Sequence, residues 1–233
     1  MNRAITLIVF LNFYGFLLVG QNSSEQQKKI PMSPHEIQLG VANLLGDFVT
    51  NQESSLSNVR SIQGGSISAY DEPSMALGYR YHIDNSAIRA GFNMAFYKGE
   101  TEDMDPQKSE KYSLGSFYLG YQYEFLFPRT SLFTGMDVFI EQQKYEYISD
   151  QLPTFYEKRT SDNQGYGVRP FLGVRFFVNK HISLSTTSFY YIRSYTLKYE
   201  KVDQDGVEMD KETVNGSTMK FGPLGTIAIN FHF

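Results

Sequence analysis

Alternation of apolar and polar side chains at every second residue runs through most of this chain and restricts it to β-structure. Successive side chains of a β-strand point to opposite faces, so the alternation predicts strands with one apolar face. The pattern occurs in eight segments, at residues 36–48, 74–83, 87–97, 113–127, 131–148, 167–178, 182–202 and 207–233. An even number of strands is what an up-and-down barrel needs if both ends of the chain lie on one side.

The connections between these segments alternate in length. The second, fourth and sixth segments are followed by the short sequences "HIDNSAI", "FLFPRTSL" and "VNKHI", whose Asp, Asn and Pro residues favour tight turns. Longer polar connections occupy roughly residues 49–72, 98–112 and 149–166, with a hairpin tip near 203–206. The sequence therefore predicts an all-β fold, an eight-stranded antiparallel up-and-down transmembrane β-barrel with short periplasmic turns and long extracellular loops.

Composition supports this fold class and excludes several functions. The chain has 17 Tyr, 19 Phe and 19 Gly, a content of rings and glycines that suits strands and their bends. It has no Cys, which excludes a disulfide framework and a thiolate metal site. Its formal charge of −4 gives no basic surface for a nucleic acid.

The first twenty residues differ from all that follow. One positive charge at Arg3 precedes an apolar run to Val19, and the polar sequence "QNSSEQQKK" begins after Gly20. This layout is typical of a secretory signal peptide, with an uncleaved anchor helix as the alternative. We therefore predict a signal peptide at residues 1–20, a short periplasmic segment at 21–34 and the barrel domain at 35–233.

The size of the side chains on each face indicates which face is outside. In the last segment Ile227, Ile229, Phe231 and Phe233 alternate with small or polar residues. An eight-stranded barrel has room inside for little more than its own side chains, so we expect the bulky set to face lipid and the small and polar set to fill the lumen. This assignment of the two alternating faces places a set of charged residues in the lumen. They are Arg80, Arg89, Glu124, Asp137, Glu141, Arg169 and Arg175, with Arg193 and Lys220 as further candidates. Since both signs are present, we predict a salt-bridge network that fills the lumen; a conduction pathway is the alternative.

With these features the chain resembles the small outer-membrane β-barrels of the OmpA/OmpX/OmpW class, over residues 35–233. In that class a last strand with a terminal aromatic residue is the signal for the barrel-assembly machinery, and Ile227, Ile229, Phe231 and Phe233 would form it here. The resemblance implies a monomer in the outer membrane of a Gram-negative bacterium, surrounded by outer-membrane lipid and delivered by periplasmic chaperones. It implies no cofactor.

The last four segments are longer than the roughly 9–11 residues that cross a membrane. The pair Asp205-Gly206 predicts the turn of a protruding hairpin. The edge of such a ribbon can bind another protein by strand addition, or the ribbon can simply be solvated. The expected function is non-enzymatic, either structural in the envelope or adhesion-like toward an extracellular protein; the alternative is a narrow OmpW-type barrel that transports small apolar solutes.

Three groups of residues are candidates for sites of chemistry. His82 and His232 would lie about 10 Å apart on their strands, too far to share a metal ion. The sequence "HIS" at 181–183 is similar to the His-x-Ser motif of lipid A deacylases, yet it follows a periplasmic turn and has Leu184 where that motif has Asn. The acidic residues of the hairpin and of the loop near 100–105 lack the spacing of an EF-hand. We therefore predict no catalytic and no metal-binding residues.

Overall fold

The computed structural model describes residues 33–42, 48–52, 73–101, 107–151, 155–203 and 207–233. All regular structure in these ranges is β-strand, in nine elements: β1 His35–Ala42, β2 Phe48–Gln52, β3 Ser74–Ile83, β4 Ser86–Thr101, β5 Gln107–Leu126, β6 Thr130–Gln151, β7 Phe155–Phe177, β8 Ile182–Val202 and β9 Glu208–His232. The described residues contain no helix long and apolar enough to cross a membrane.

The nine strands close into a barrel that is eight strands in circumference. From β3 to β9 each strand pairs antiparallel with the next, and β1 pairs with both β3 and β9. The short β2 pairs with β9 just beyond β1, since Ala42 lies opposite Thr226 and Phe48 lies opposite Phe221. Because β1 and β2 share one side of β9, the predicted eight-stranded antiparallel up-and-down barrel is confirmed.

Two of the predicted loops are wrong. The structure continues β4 to Thr101 and starts β5 at Gln107, and it continues β6 to Gln151 and starts β7 at Phe155. The expected loops at 98–112 and 149–166 are therefore mostly strand. Most of their described side chains are polar, so the apolar alternation disappears although the hydrogen-bonded pairing continues.

Several predictions fall on residues outside the described ranges. These are the signal peptide at 1–20, nearly all of the periplasmic segment at 21–34 and the Asp205-Gly206 turn. The first predicted strand, 36–48, is described only in part, because residues 43–47 lie between β1 and β2.

The three short turns are at one end of the barrel, as predicted. Asp84 and Asn85 form the two-residue turn between β3 and β4, and Asp84 adopts a left-handed backbone conformation with φ of 53°. Between β7 and β8 the side chain of Asn179 accepts hydrogen bonds from the backbone N–H groups of His181 and Ile182. Asp and Asn thus fold these turns through their tolerance of the left-handed region and their short polar side chains.

The outer surface near these turns is a continuous band of exposed apolar side chains. Met75, Leu77 and Ile83 on β3, for example, are about half exposed or more. Eight rings also lie outward near the short-turn end: Tyr79, Tyr81, Tyr121, Tyr123, Phe125, Phe127, Phe231 and Phe233. A soluble protein does not leave so large an apolar band in water, whereas a bilayer would cover it and place the rings at its interface.

The expectation that only small and polar side chains fill the lumen is wrong. Large rings are buried inside the barrel, including Phe133, Phe139, Phe171, Phe177 and Phe189. Glycines on neighbouring strands make the space for them. A Cβ atom added to Gly173 would lie 2.2 Å from the ring of Phe133, and one added to Gly225 would lie 2.0 Å from the ring of Phe189.

Candidate functional site

The lumen nearest the short turns is filled by a network centred on Glu36. This carboxylate is fully buried and bonds the guanidinium of Arg80; its Oε2 atom lies 3.0 Å from Nη2 of Arg175 and 2.7 Å from Nε2 of His82. Arg175 also donates from Nη1 to both oxygens of Glu124, at 2.9 Å. The network therefore joins β1, β3, β5 and β7 across the barrel, between strands that for the most part do not pair with one another.

Amide and hydroxyl groups complete this layer. Asn230 accepts a hydrogen bond from Arg80 and donates to Ser183 and Ser185. Gln122 bonds Glu124 and accepts from Arg89 at 3.3 Å. The buried charges thus have hydrogen-bonding partners, the condition under which a barrel interior tolerates them.

The structure separates the two residues of the His-x-Ser motif. His181 is exposed, whereas Ser183 is fully buried and its Oγ atom lies 2.8 Å from Nε2 of His232. Nδ1 of His232 is in turn 3.8 Å from Glu36. A serine, a histidine and a carboxylate are therefore adjacent, but the serine hydroxyl is closed off inside the lumen and no substrate could reach it in this conformation.

The predicted separation of His82 and His232 by about 10 Å does not hold for their side chains. His82 and His232 lie on different strands, yet a ring nitrogen of each lies within 4 Å of the same oxygen of Glu36 in the lumen. The two guanidiniums on that carboxylate already supply positive charge. Among the described residues, no three His, Asp or Glu side chains are grouped so as to hold a metal ion.

The middle of the lumen holds two arginines and one carboxylate. Asp137 is fully buried and accepts from Nε and Nη2 of Arg169, at 3.1 and 2.7 Å, while Nε of Arg89 lies 3.3 Å from its other oxygen. The excess positive charge is stacked against rings: Arg89 lies 4.2 Å from the centre of Phe171, and Arg169 lies 4.3 Å from that of Phe189. Cation–π attraction is strongest in such desolvated places, so the rings offset the missing second anion.

A third layer lies toward the long-loop end. Arg193 is 3.3 Å from a carboxylate oxygen of Glu141 and donates to Asn163 at 2.8 Å. Three successive layers of paired charges and rings therefore fill the described lumen.

The structure places every predicted lumen charge that it describes on the inner side of the barrel. Arg80, Glu124 and Arg175 join the first layer, Arg89, Asp137 and Arg169 form the second, and Glu141 lies in the third with Arg193. The side chain of Lys220 is outside the described residues. Sequence reasoning missed Glu36, although it alternates with Ile37 and Leu39 and so had the inward parity.

The predicted assembly-signal residues lie on the outer face of β9. Ile227, Ile229 and Phe231 are opposite β1 residues in the closing seam. The ring of Phe233 stacks on His35, with centroids 5.8 Å apart, and the backbones of these two residues exchange hydrogen bonds. The last residue of the chain is therefore paired at the seam.

Strands β4 to β9 continue beyond the apolar band as an ordered sheet, here called the extension. Its start is marked by the last outward apolar residues, such as Ile140 on β6 and Tyr166 on β7. From Ile140, β6 runs on to Gln151, about 35 Å of strand at 3.3 Å per residue. Hydrogen-bonded pairing with β5 and β7 is maintained over this distance.

Ion pairs tie the extension together across its strands. On the outer face Glu146 lies 3.1 Å from Lys111 on β5 and 2.9 Å from Lys158 on β7, and these hydrogen bonds lower the pKa of the Glu146 carboxyl. Hydrogen bonds from Arg159 and from Lys201, at 2.8 Å, likewise lower the pKa of Glu157. Ion pairs near the surface contribute little individually, but together these link the four neighbouring strands β5 to β8.

The chain is an eight-stranded β-barrel. No protein-family model matches its sequence, and no curated protein does either. Solved structures with a similar fold include Ail, the attachment invasion locus protein of Yersinia pestis, at 11% identity over 87% of this chain and 100% of that one, with a TM-score of 0.45. A major outer membrane protein from Thermus thermophilus is 11% identical over 85% of this chain and 98% of that one, with a TM-score of 0.49. Neisserial surface protein A (NspA) is 11% identical over 87% of this chain and 99% of that one, with a TM-score of 0.41. These values are too low to transfer any property of those proteins to this chain.

Proposed function

We propose that this protein is a non-conducting barrel of a Gram-negative outer membrane that makes contacts at the cell surface through its extension. The observation that carries the proposal is the combination of a filled lumen with an ordered, ion-paired extension beyond the apolar band. A barrel whose lumen is filled does not act as a channel. Its function then depends on its outer surfaces and its extension. The short turns would then lie in the periplasm and the extension outside the cell.

Membrane residence follows from the outer surface. The exposed apolar side chains would meet lipid, and the closed ring leaves the strands within this band with paired neighbours. The outer face of the extension has mostly charged and hydroxyl side chains, as a surface in water requires, with Phe96 as an exposed ring among them.

A closed lumen follows from the three layers. An ion that crossed would have to separate buried charge pairs such as Arg175–Glu124 and Arg169–Asp137. Breaking a buried pair leaves an uncompensated charge, which costs about 3–5 kcal/mol for each pair. Transport of apolar solutes is not favoured, since the described lumen offers such solutes no apolar path past these charges.

The extension also presents a strand edge. The pairing of β2 with β9 ends at Gln52 opposite Thr218, so among the described strands only β8 pairs with residues 208–217 of β9. A strand of an extracellular protein could add to this edge through backbone hydrogen bonds. The charges of Asp210, Lys211 and Glu212 would limit such pairing to complementary partners.

Reconstitution into planar bilayers tests the closed lumen. We expect no discrete conductance steps from the purified barrel, with a general porin reconstituted in the same way as the positive control. Reproducible steps that scale with the amount of inserted protein would overturn the closed-lumen proposal.

Adhesion of whole cells tests the surface role. The matched variant lacks residues 147–150 and 156–159, which are opposite each other on β6 and β7. Four cross-strand residue pairs are thus removed, and the remaining residues of β6 and β7 keep their pairing register and their inward or outward direction. Cells that display the full-length protein should adhere to plates coated with basement-membrane proteins better than cells with the shortened one. Equal adhesion at equal surface amounts would contradict a role for the β6–β7 part of the extension.

A further inference from the structure

A cavity of about 890 Å³ opens in the extension, above the three filled layers of the lumen. Its lining comes from three neighbouring residues on each of β4, β5, β6, β7, β8 and β9, for example Phe96–Lys98, Lys111–Ser113 and Lys144–Glu146. The cavity therefore lies across the whole width of the extension. Its volume is within the range of small-molecule binding sites.

One row of residues crosses the cavity from strand to strand in continuous register. Tyr97 lies opposite Tyr112, and Tyr112 lies opposite Tyr145. The row continues through Ser161 to Tyr199 and ends at Glu212 on β9. We call these six residues the tyrosine row; at about 4.8 Å between strands it follows an arc of roughly 24 Å.

The tyrosine row faces the inside of the barrel. Tyr112 and Tyr199 are buried, and Tyr145 is partly buried, whereas Ser113, Lys144 and Lys198 beside them belong to the outward set. Tyr97 and Glu212, at the two ends of the row, are exposed. The row therefore has solvent access at both ends, through a ring at one end and a carboxylate at the other.

The chemistry of the cavity wall is unusual for a pocket. Of the described lining residues, the six that face the inside are the tyrosine row itself, with four phenol rings, one hydroxyl and one carboxylate; the others, including all five lysines, belong to the outward set. Sites for apolar small molecules are lined mainly by hydrophobic side chains, so this wall does not suit a lipid tail or an apolar solute. It suits a ligand that has flat faces for the rings and many hydroxyl groups for the polar side chains.

The geometry points to a short neutral oligosaccharide as this ligand, and we propose that it binds along the tyrosine row. The C–H faces of the sugar rings would stack on Tyr97 and Tyr145, and the sugar hydroxyls would bond to Ser161 and Glu212. This inference rests on the proposed surface function and specifies the class of ligand.

The phenol groups of Tyr145 and Tyr199 are neutral at physiological pH. Burial, with the nearby Glu110 charge, raises the pKa of Tyr145 to about 12, and burial raises the pKa of Tyr199 as well. Neutral phenols keep their ring faces suited to stacking and their O–H groups available as donors. Among the inward-facing residues of the described lining Glu212 is the only charged one, so the row itself does not favour a strongly ionic ligand.

Saturation-transfer NMR on the whole protein tests the proposal. The protein is prepared in amine-oxide micelles, since glycoside detergents are themselves saccharides, and the probes are maltotetraose, cellotetraose and chitotetraose. We expect transfer to the ring C–H protons of at least one probe. Tyr145→Ala should weaken its binding about tenfold, and Tyr145→Phe should weaken it much less because the ring face is kept.

Tyr166→Ala is the matched control, because Tyr166 is an exposed outward tyrosine outside the cavity. It should bind as the wild type does, and all variants should keep the heat-modifiable gel migration of the folded barrel. The absence of transfer to all three probes would overturn the proposal, as would equal binding by Tyr145→Ala. If the probes fail while cells still adhere through the extension, the oligosaccharide proposal alone is lost.

Discussion

At the residue scale, the middle layer of the lumen makes the strongest prediction. Among the described residues, Asp137 is the carboxylate that pairs with both Arg89 and Arg169, and all three side chains are buried. Asp137→Asn leaves two guanidiniums without this anion and should lower the free energy of unfolding by about 3–5 kcal/mol. The measurement is urea unfolding in lipid vesicles, followed by tyrosine fluorescence.

The control for this variant removes one of the cations. Arg89→Met leaves the balanced pair Arg169–Asp137 and fills part of the space. It should therefore lower the free energy of unfolding by less than half as much as Asp137→Asn does. An equal or larger loss would show that the rings, and not the carboxylate, hold the layer together.

Gly173 makes a second prediction at this scale. Its Cβ in Gly173→Ala would lie 2.2 Å from the ring of Phe133 and 2.7 Å from the backbone oxygen of Thr186, so either the ring or the strand must move. Overpacking of this kind costs about 1–3 kcal/mol of unfolding free energy. Gly115→Ala is the matched control, since its Cβ would approach nothing nearer than the Phe92 ring at 4.0 Å. Similar unfolding midpoints for both variants would contradict the close packing of Phe133 against Gly173.

The inward charges were predictable from the sequence, but the inward rings were not. Arg80 and Arg89 alternate with plainly apolar neighbours, so parity alone places them inside. On β6 both parities contain large apolar residues, and Phe133 is inside because Gly173 on β7 leaves room for it. These two residues are forty positions apart, so no local pattern contains the information. The tyrosine row was missed for the same reason, because it exists only once the register of six strands is known.

At the element scale, the strand ends show what alternation can and cannot predict. The predicted bounds of β8 agree with the structure at both ends, since apolar or aromatic residues recur along most of its length. The start of β7 was predicted twelve residues too late, at Gly167 instead of Phe155. Strands in water need no apolar outer face. The hydropathy pattern therefore does not predict where such strands end, and only their pairing with neighbouring strands shows it.

The ion pairs of the extension predict a dependence on pH. Hydrogen bonds lower the folded-state pKa of Glu146 and Glu157 below the ordinary value of 4.5. A lowered pKa stabilises the folded extension above pH 4.5, and this contribution is lost as the pH falls through the folded-state value. Hydrogen exchange of the backbone in β6 and β7, corrected for intrinsic rates, should therefore become faster below pH 4.5.

The double variant Glu146→Gln/Glu157→Gln should lose most of this dependence and exchange faster at neutral pH. Glu208→Gln is the control, because the ion pair of Glu208 is with Lys211, three residues along β9 itself, and is exposed. If the double variant kept the full acid response of the wild type, these two carboxylates would not be its source.

At the scale of the whole molecule, two kinds of interaction hold the ring. Backbone pairing joins neighbouring strands, whereas the lumen network joins strands across the barrel, as Arg175 of β7 does with Glu36 of β1 and Glu124 of β5. Both require closure, since Glu36 reaches Arg175 only if β1 completes the ring beside β9. The seam between β1 and β9 is therefore the place where the global fold can be tested directly.

A disulfide across this seam provides the last prediction. The chain has no cysteine, so Leu39→Cys/Ile229→Cys introduces a single pair, at outward positions that lie directly opposite each other. Opposed residues of antiparallel strands have Cβ atoms about 4.5–5.5 Å apart, near enough to be oxidised with a small adjustment. The oxidised protein should resist conversion to its slowly migrating heat-denatured form unless a reductant is added. Leu39→Cys/Phe233→Cys is the control, four residues and about 13 Å out of register along β9, and should not cross-link within one chain. Efficient cross-linking of the control, or none in the opposed pair, would contradict the register of the closing seam.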